Sequence, residues 1–123
     1  MTQESDHKVP GEGYSEKIHA RFWIKGQETY IGIGRVTLLE KIADKGSINA
    51  AAKEMGMSYK KAWKLIDEMN RFFSEPLVVK EHGGKSGGGT QLTDKGVFLV
   101  EEFRRIERRL TEFLEQESNR LEI

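Results

Sequence analysis

The chain predicts an α+β, mostly helical fold, and three observations carry that reading. Three short amphipathic stretches, each with its own cap or stop residue, fall within about forty residues. Two short apolar stretches with turn residues between them flank that block on either side. A closing stretch then runs from Thr93 with no helix breaker after Gly96. At 123 residues there is room for one modest core and not for two.

Residues 1–17 hold Pro10, Gly11 and Gly13 and no periodic apolar pattern, and they read as a flexible tail. From Ile18 the alternation Ile18, Ala20, Phe22, Ile24 predicts a half-buried strand, and GQET followed by YIGI predicts a turn and a short return strand. In RVTLLEKIADKG, the residues Val36, Leu39, Ile42 and Ala43 stand at helical spacing and Gly46 stops the helix. Ser47 caps a second helix, INAAAKEM, which Gly56 ends. Ser58 caps a third, whose Ala62, Leu65, Ile66, Met69 and Phe73 form one stripe. Pro76 bars further helix, LVV and QL read as two strands around the glycine-rich HGGKSGGGT, and Thr93 caps a last helix that could extend about 40 Å. Residues 18–96 then form one domain and residues 97–123 a C-terminal helix.

Charge is informative by its distribution. The twenty basic and twenty acidic residues cancel, yet residues 18–96 carry 13 Lys and Arg against 9 Asp and Glu, a local +4 between two segments of −2. A neutral chain with a basic centre can meet a polyanion, since the local field binds rather than the sum. The absence of cysteine excludes disulfide scaffolds, thiolate zinc sites and thiol catalysis, and suits a reducing cytoplasm. The longest apolar run is Val97–Val100, so no membrane segment is expected.

Two short helices joined by a tight turn, with small residues where they touch, form a helix-turn-helix, and GSINAAAKEMGMSYKKAWKLIDEMN supplies each part. Ala51 and Ala52 permit close approach, Gly56 the turn, and Met57 fills the corner. Stepping 100° per residue from Ala62 puts Lys60, Lys64 and Arg71 within about 20° of the opposite side. One face thus anchors the helix while its basic leading end is free to enter a major groove. The DNA-contact candidates are Ser58, Tyr59, Lys60, Lys61 and Lys64, with phosphate and base roles undivided among them. The second hairpin reads as a wing, with Lys85 and Ser86 at its tip as further DNA contacts and His82 nearby.

The stretch GSINAAAKEMGMSYKKAW, followed by IDEMN and GGKSGGGTQLTDKG, resembles the N-terminal DNA-binding domain of the ModE molybdate-responsive regulators, themselves related to LysR-type winged helices. The likeness covers roughly residues 34 to 110. It implies a winged helix-turn-helix regulator that binds double-stranded DNA as a homodimer, joined partly through the long C-terminal helix. Regulators of that family continue into oxyanion-binding domains, whereas this sequence runs only to Ile123. The expectation is therefore a stand-alone form with no oxyanion-binding domain and no cofactor.

Alternatives stand beside these readings. A lysine-bearing helix is also what a solvated surface looks like, and winged helices also serve as protein–protein interaction modules. The run GGKSGGG is no phosphate loop, because Val79 stands where the first glycine would be needed. His7, His19 and His82 are scattered without metal-ligand spacing, and no acid–base pair stands out, so no enzyme is expected. Trp23 and Trp63 read as packing groups rather than base-stacking ones. On the last helix Leu99, Phe103, Ile106, Leu110 and Phe113 follow a 4, 3, 4, 3 spacing, the seam of a coiled coil. That seam predicts a dimer, the alternative being a helix folded back on its own domain.

Overall fold

The computed structural model describes residues 8–10, 12–80 and 89–123. A first hairpin pairs β1 (Ile24–Lys25) with β2 (Tyr30–Ile31), and α1 (Ile33–Lys45), α2 (Ile48–Glu54) and α3 (Tyr59–Phe72) follow. A second antiparallel hairpin pairs β3 (Val78–Lys80) with β4 (Thr90–Leu92) in the register Val78 to Leu92 and Lys80 to Thr90. The chain closes with α4 (Asp94–Arg120). This is a winged helix-turn-helix with an N-terminal hairpin and a long C-terminal helix.

Local chemistry explains the boundaries. Ser47 Oγ accepts from the Ala50 N–H at 3.1 Å, Ser58 Oγ from Lys61 at 3.0 Å and Thr93 Oγ1 from Gly96 at 3.0 Å, each satisfying an amide that the helix itself cannot. Gly46 and Gly56 both take φ of 70°, the left-handed region that ends a helix without a Cβ penalty. The predicted strand from Ile18 to Ile24 is the exception. The return strand leads almost at once into α1, which leaves only Ile24 and Lys25 a partner.

The core is built from Val36, Leu38, Leu39 and Ile42 of α1, Ala51 and Ala52 of α2, Ala62, Ile66 and Met69 of α3, Leu77 and Val78, and Leu99 and Phe103 of α4. Ala43, placed in the α1 stripe from its spacing, is exposed instead. The wing is tied to this core through the Thr90 N–H, which donates to Gly46 O at 2.9 Å. Gly96, in the first turn of α4, lies against the wing: a Cβ there would overlap the Leu77 carbonyl oxygen and come within 3.3 Å of Leu92 Cβ. Gly96→Ala should therefore destabilise by about 1–3 kcal/mol in urea melts. The gain in helix propensity, about 1 kcal/mol, is too small to offset backbone overlap.

The N-terminal segment departs from expectation. Residues 1–7 and Gly11 lie outside the described residues, but the stretch ending at Lys17, expected as part of a flexible tail, is docked on α4. The Tyr14 ring is 3% exposed and its hydroxyl donates to Glu107 Oε2 at 3.1 Å. The Lys17 N–H donates to Ser118 Oγ at 3.0 Å, and its ammonium to Leu121 O at 2.8 Å. Arg104 joins the same cluster. It forks onto Glu40 of α1 at 2.7 and 3.0 Å and donates to Glu107 at 2.8 Å and to Lys8 O at 2.8 Å. Burial, and then the Glu107 carboxylate, push the Tyr14 hydroxyl up to about 12. For Arg104 burial acts downward, but the hydrogen bonds to Glu40 and Glu107 outweigh it and hold the guanidinium above its ordinary range.

Candidate nucleic-acid interface

Helix α3 turns its apolar stripe inward and its leading end outward. Ala62, Ile66 and Met69 are buried, Leu65 and Phe73 partly so, whereas Ser58, Tyr59, Lys60, Lys61 and Lys64 are all exposed. The α2–α3 turn sets this presentation: Gly56 N–H donates to Lys53 O and Met57 N–H to Ala52 O, while Met57 packs against the core. The Ser58 hydroxyl accepts the Lys61 amide as the helix cap, so its first role is structural.

Three exposed lysines fall within five residues at this end of the helix. Among the described residues, Lys60, Lys61 and Lys64 take part in no salt bridge. Several cations on other parts of the surface are paired: Lys41 and Lys45 of α1 meet Glu54 of α2, and Arg71 meets Asp67 at 3.3 Å. Arg35 meets Glu68 at 2.7 Å, and that hydrogen bond holds the Glu68 carboxyl below its usual range against partial desolvation. Three exposed ammonium groups outside any salt bridge among the described residues, gathered on one convex helix end, suit a polyanionic groove.

Asn70, on the same helix, positions the wing. Its Oδ1 accepts the N–H groups of Leu77 at 2.8 Å and Val78 at 3.1 Å, and its Nδ2 donates to Val78 O at 3.0 Å. Strand β3 is thereby fixed to α3, with Val79 and Lys80 exposed. Lys85 and Ser86, together with His82, fall in residues 81–88 and lie outside the described residues.

Three expectations need correction. Trp63, read as a packing group, is 47% exposed, one helical turn after Tyr59 at 49%. The signal was available, since at 100° per residue Trp63 stands about 100° from Ala62, off the buried stripe. Trp23 is likewise exposed, its ring lying against the backbone at Gly32, where a Cβ would come within 2.7 Å of it. On α4, Leu99 and Phe103 are not open to a partner. They belong to the chain's own core, and Phe103 stacks on Phe22 with ring centroids 4.4 Å apart. Of the proposed seam, Ile106 and Leu110 remain partly exposed and Phe113 exposed. Among the described residues no cluster of side chains could hold a metal ion, and no helix is long and apolar enough to cross a membrane.

The fold and its outward basic helix define a winged helix-turn-helix protein. The chain belongs to the lysR family of bacterial regulatory helix-turn-helix proteins, which matches residues 33–97, from the start of α1 into the first turn of α4. It is 51% identical over 87 residues to the molybdenum transport protein ModE of Azotobacter vinelandii, covering 71% of this chain and 32% of that protein. It is 44% identical over 75 residues to the DNA-binding transcriptional dual regulator ModE of Escherichia coli K12, covering 61% of this chain and 29% of that one. The chain thus spans about a third of the length of these curated relatives. Among solved structures, the protein chain in a crystal structure of a CbnR_DBD–DNA complex aligns with a TM-score of 0.48 at 21% identity, covering 69% of this chain and 87% of that one.

Proposed function

We propose that the chain is a DNA-binding transcription regulator that docks the leading end of α3 in a major groove, with the second hairpin as a wing against the neighbouring backbone. The observation that carries this reading is the triad of exposed lysines, Lys60, Lys61 and Lys64, on a helix whose opposite face is core. Ser58 and Tyr59 border them, and Lys85 and Ser86, in the sequence between β3 and β4, are proposed as further DNA contacts. Two copies pair through the exposed flank of α4 at Ile106, Leu110 and Phe113, and a two-fold site with half-sites about one helical turn apart follows from that symmetry. The named relatives support a regulatory role, one of them being a DNA-binding transcriptional regulator by name.

Fluorescence anisotropy on labelled duplex tests this. Affinity should fall steeply with salt, because phosphate neutralisation releases counterions, and Lys60→Ala and Lys64→Ala should each reduce the salt slope by about 1 if they meet phosphates. Sedimentation of the complex should give two chains per site. Both variants should melt like the parent, since neither side chain is buried. Duplex affinity without salt dependence, or none at all, would overturn the proposal. Capture of an acidic protein partner in its place would favour an interaction module.

A further inference from the structure

The α3 surface holds a feature that phosphate binding does not use. Tyr59 and Trp63 stand one turn apart at the leading end of the helix, each about half exposed, directly beside the lysines. Counting 100° per residue from Ala62, Tyr59 and Trp63 lie at about 60° and 100°, and Lys60 and Lys64 at about 160° and 200°. Asn70, at about 80° on the same count, shares the aromatic stripe and carries the wing strand through its hydrogen bonds. The aromatic stripe therefore runs along the wing side of the helix, parallel to the cationic stripe.

A surface with both stripes wants a partner that is polyanionic at its rim and apolar within reach. It is also convex, being the end of a helix, so the partner must be concave. The major groove satisfies all three conditions: it admits an α-helix, its walls are phosphate, and its floor carries one apolar group, the C5-methyl of thymine. An acidic protein surface would answer the charge but not the pair of rings at the helix tip.

Resting on the proposed docking of α3, we infer that Tyr59 and Trp63 are specificity-determining residues whose rings lie on thymine C5-methyl groups in the major groove. The lysines hold the phosphates and fix register. The rings select thymine over cytosine, which lacks the methyl and presents an amino donor in its place.

The test exchanges single methyl groups in the DNA. Bound duplexes are first selected from a random pool, and each thymine of the selected half-site is then replaced by deoxyuridine, which removes only the methyl. One or two positions per half-site should weaken binding by roughly fourfold each, the value of one buried methyl-sized group. At those positions Trp63→Ala or Tyr59→Ala should bind the thymine and deoxyuridine duplexes equally, with the assay moved to lower salt where the variant binds weakly. Trp63→Phe should keep the sensitivity, and unchanged melting of all three variants excludes a folding effect. Absence of any duplex affinity would overturn the docking reading and this inference together. Three results would overturn the inference alone: a selected half-site without thymine preference, indifference of the parent protein to every exchange, or a penalty that persists undiminished in both alanine variants.

Discussion

Arg104→Ala is expected to lower the unfolding free energy by about 3–5 kcal/mol, the cost of removing one partner from a buried ion pair. Glu107 is fully buried and Arg104 only 5% exposed, so the loss leaves a carboxylate inside the fold with the Tyr14 hydroxyl as its one remaining donor among the described residues. Glu40, half-buried on α1, can turn to water; Glu107 cannot. Urea denaturation at constant slope measures the loss, and a decrease below about 1 kcal/mol would show that the cluster is dispensable. Replacing both partners by apolar residues, as in Arg104→Met with Glu107→Leu, should recover much of the loss.

Asn70→Ala is expected to cost about 1–3 kcal/mol for the polar groups it strands. One side chain satisfies two amides and a carbonyl of the segment entering β3, and Leu77 and Val78 are buried, so water cannot substitute. The effect should be local as well as global. Hydrogen exchange at the Leu77 and Val78 amides should accelerate more than exchange in α1, because the tie between helix and wing opens first. Asn70→Asp keeps both acceptor bonds but sets a carboxylate against the Val78 carbonyl, and it should recover only part of the stability. Equal exchange rates in parent and Asn70→Ala would show that the wing is held by its strand pairing alone.

The features legible in the sequence are those that depend on near neighbours. Ser47, Ser58 and Thr93 cap helices because a hydroxyl reaches an amide three residues on, and Gly46 and Gly56 end helices because they lack a Cβ. The basic outer face of α3 follows from a 3.6-residue period applied to Ala62, Ile66 and Met69. The misreadings share a different origin. Tyr14 and Glu107 are 93 residues apart, and nothing near Tyr14 announces a buried carboxylate. A helix-flank aromatic such as Trp63 reads as a packing group, yet no neighbouring element covers that flank and the ring is left half exposed. Gly96 has no local reason to be glycine, its constraint being the Leu77 carbonyl across the wing.

Helix α4 marks the division most clearly. Periodicity by itself determined that it is long, amphipathic and capped by Thr93, and that three helices precede it with a lysine-bearing end turned outward. Only the tertiary structure decided what covers the apolar stripe: α1 and Phe22 take Leu99 and Phe103, and the segment around Tyr14 and Lys17 closes over the region of Glu107 and Ser118. A period states which side of a helix avoids water, because that depends on residues three and four apart. Which atoms replace the water depends on groups distant in the chain, and that is settled when the elements pack.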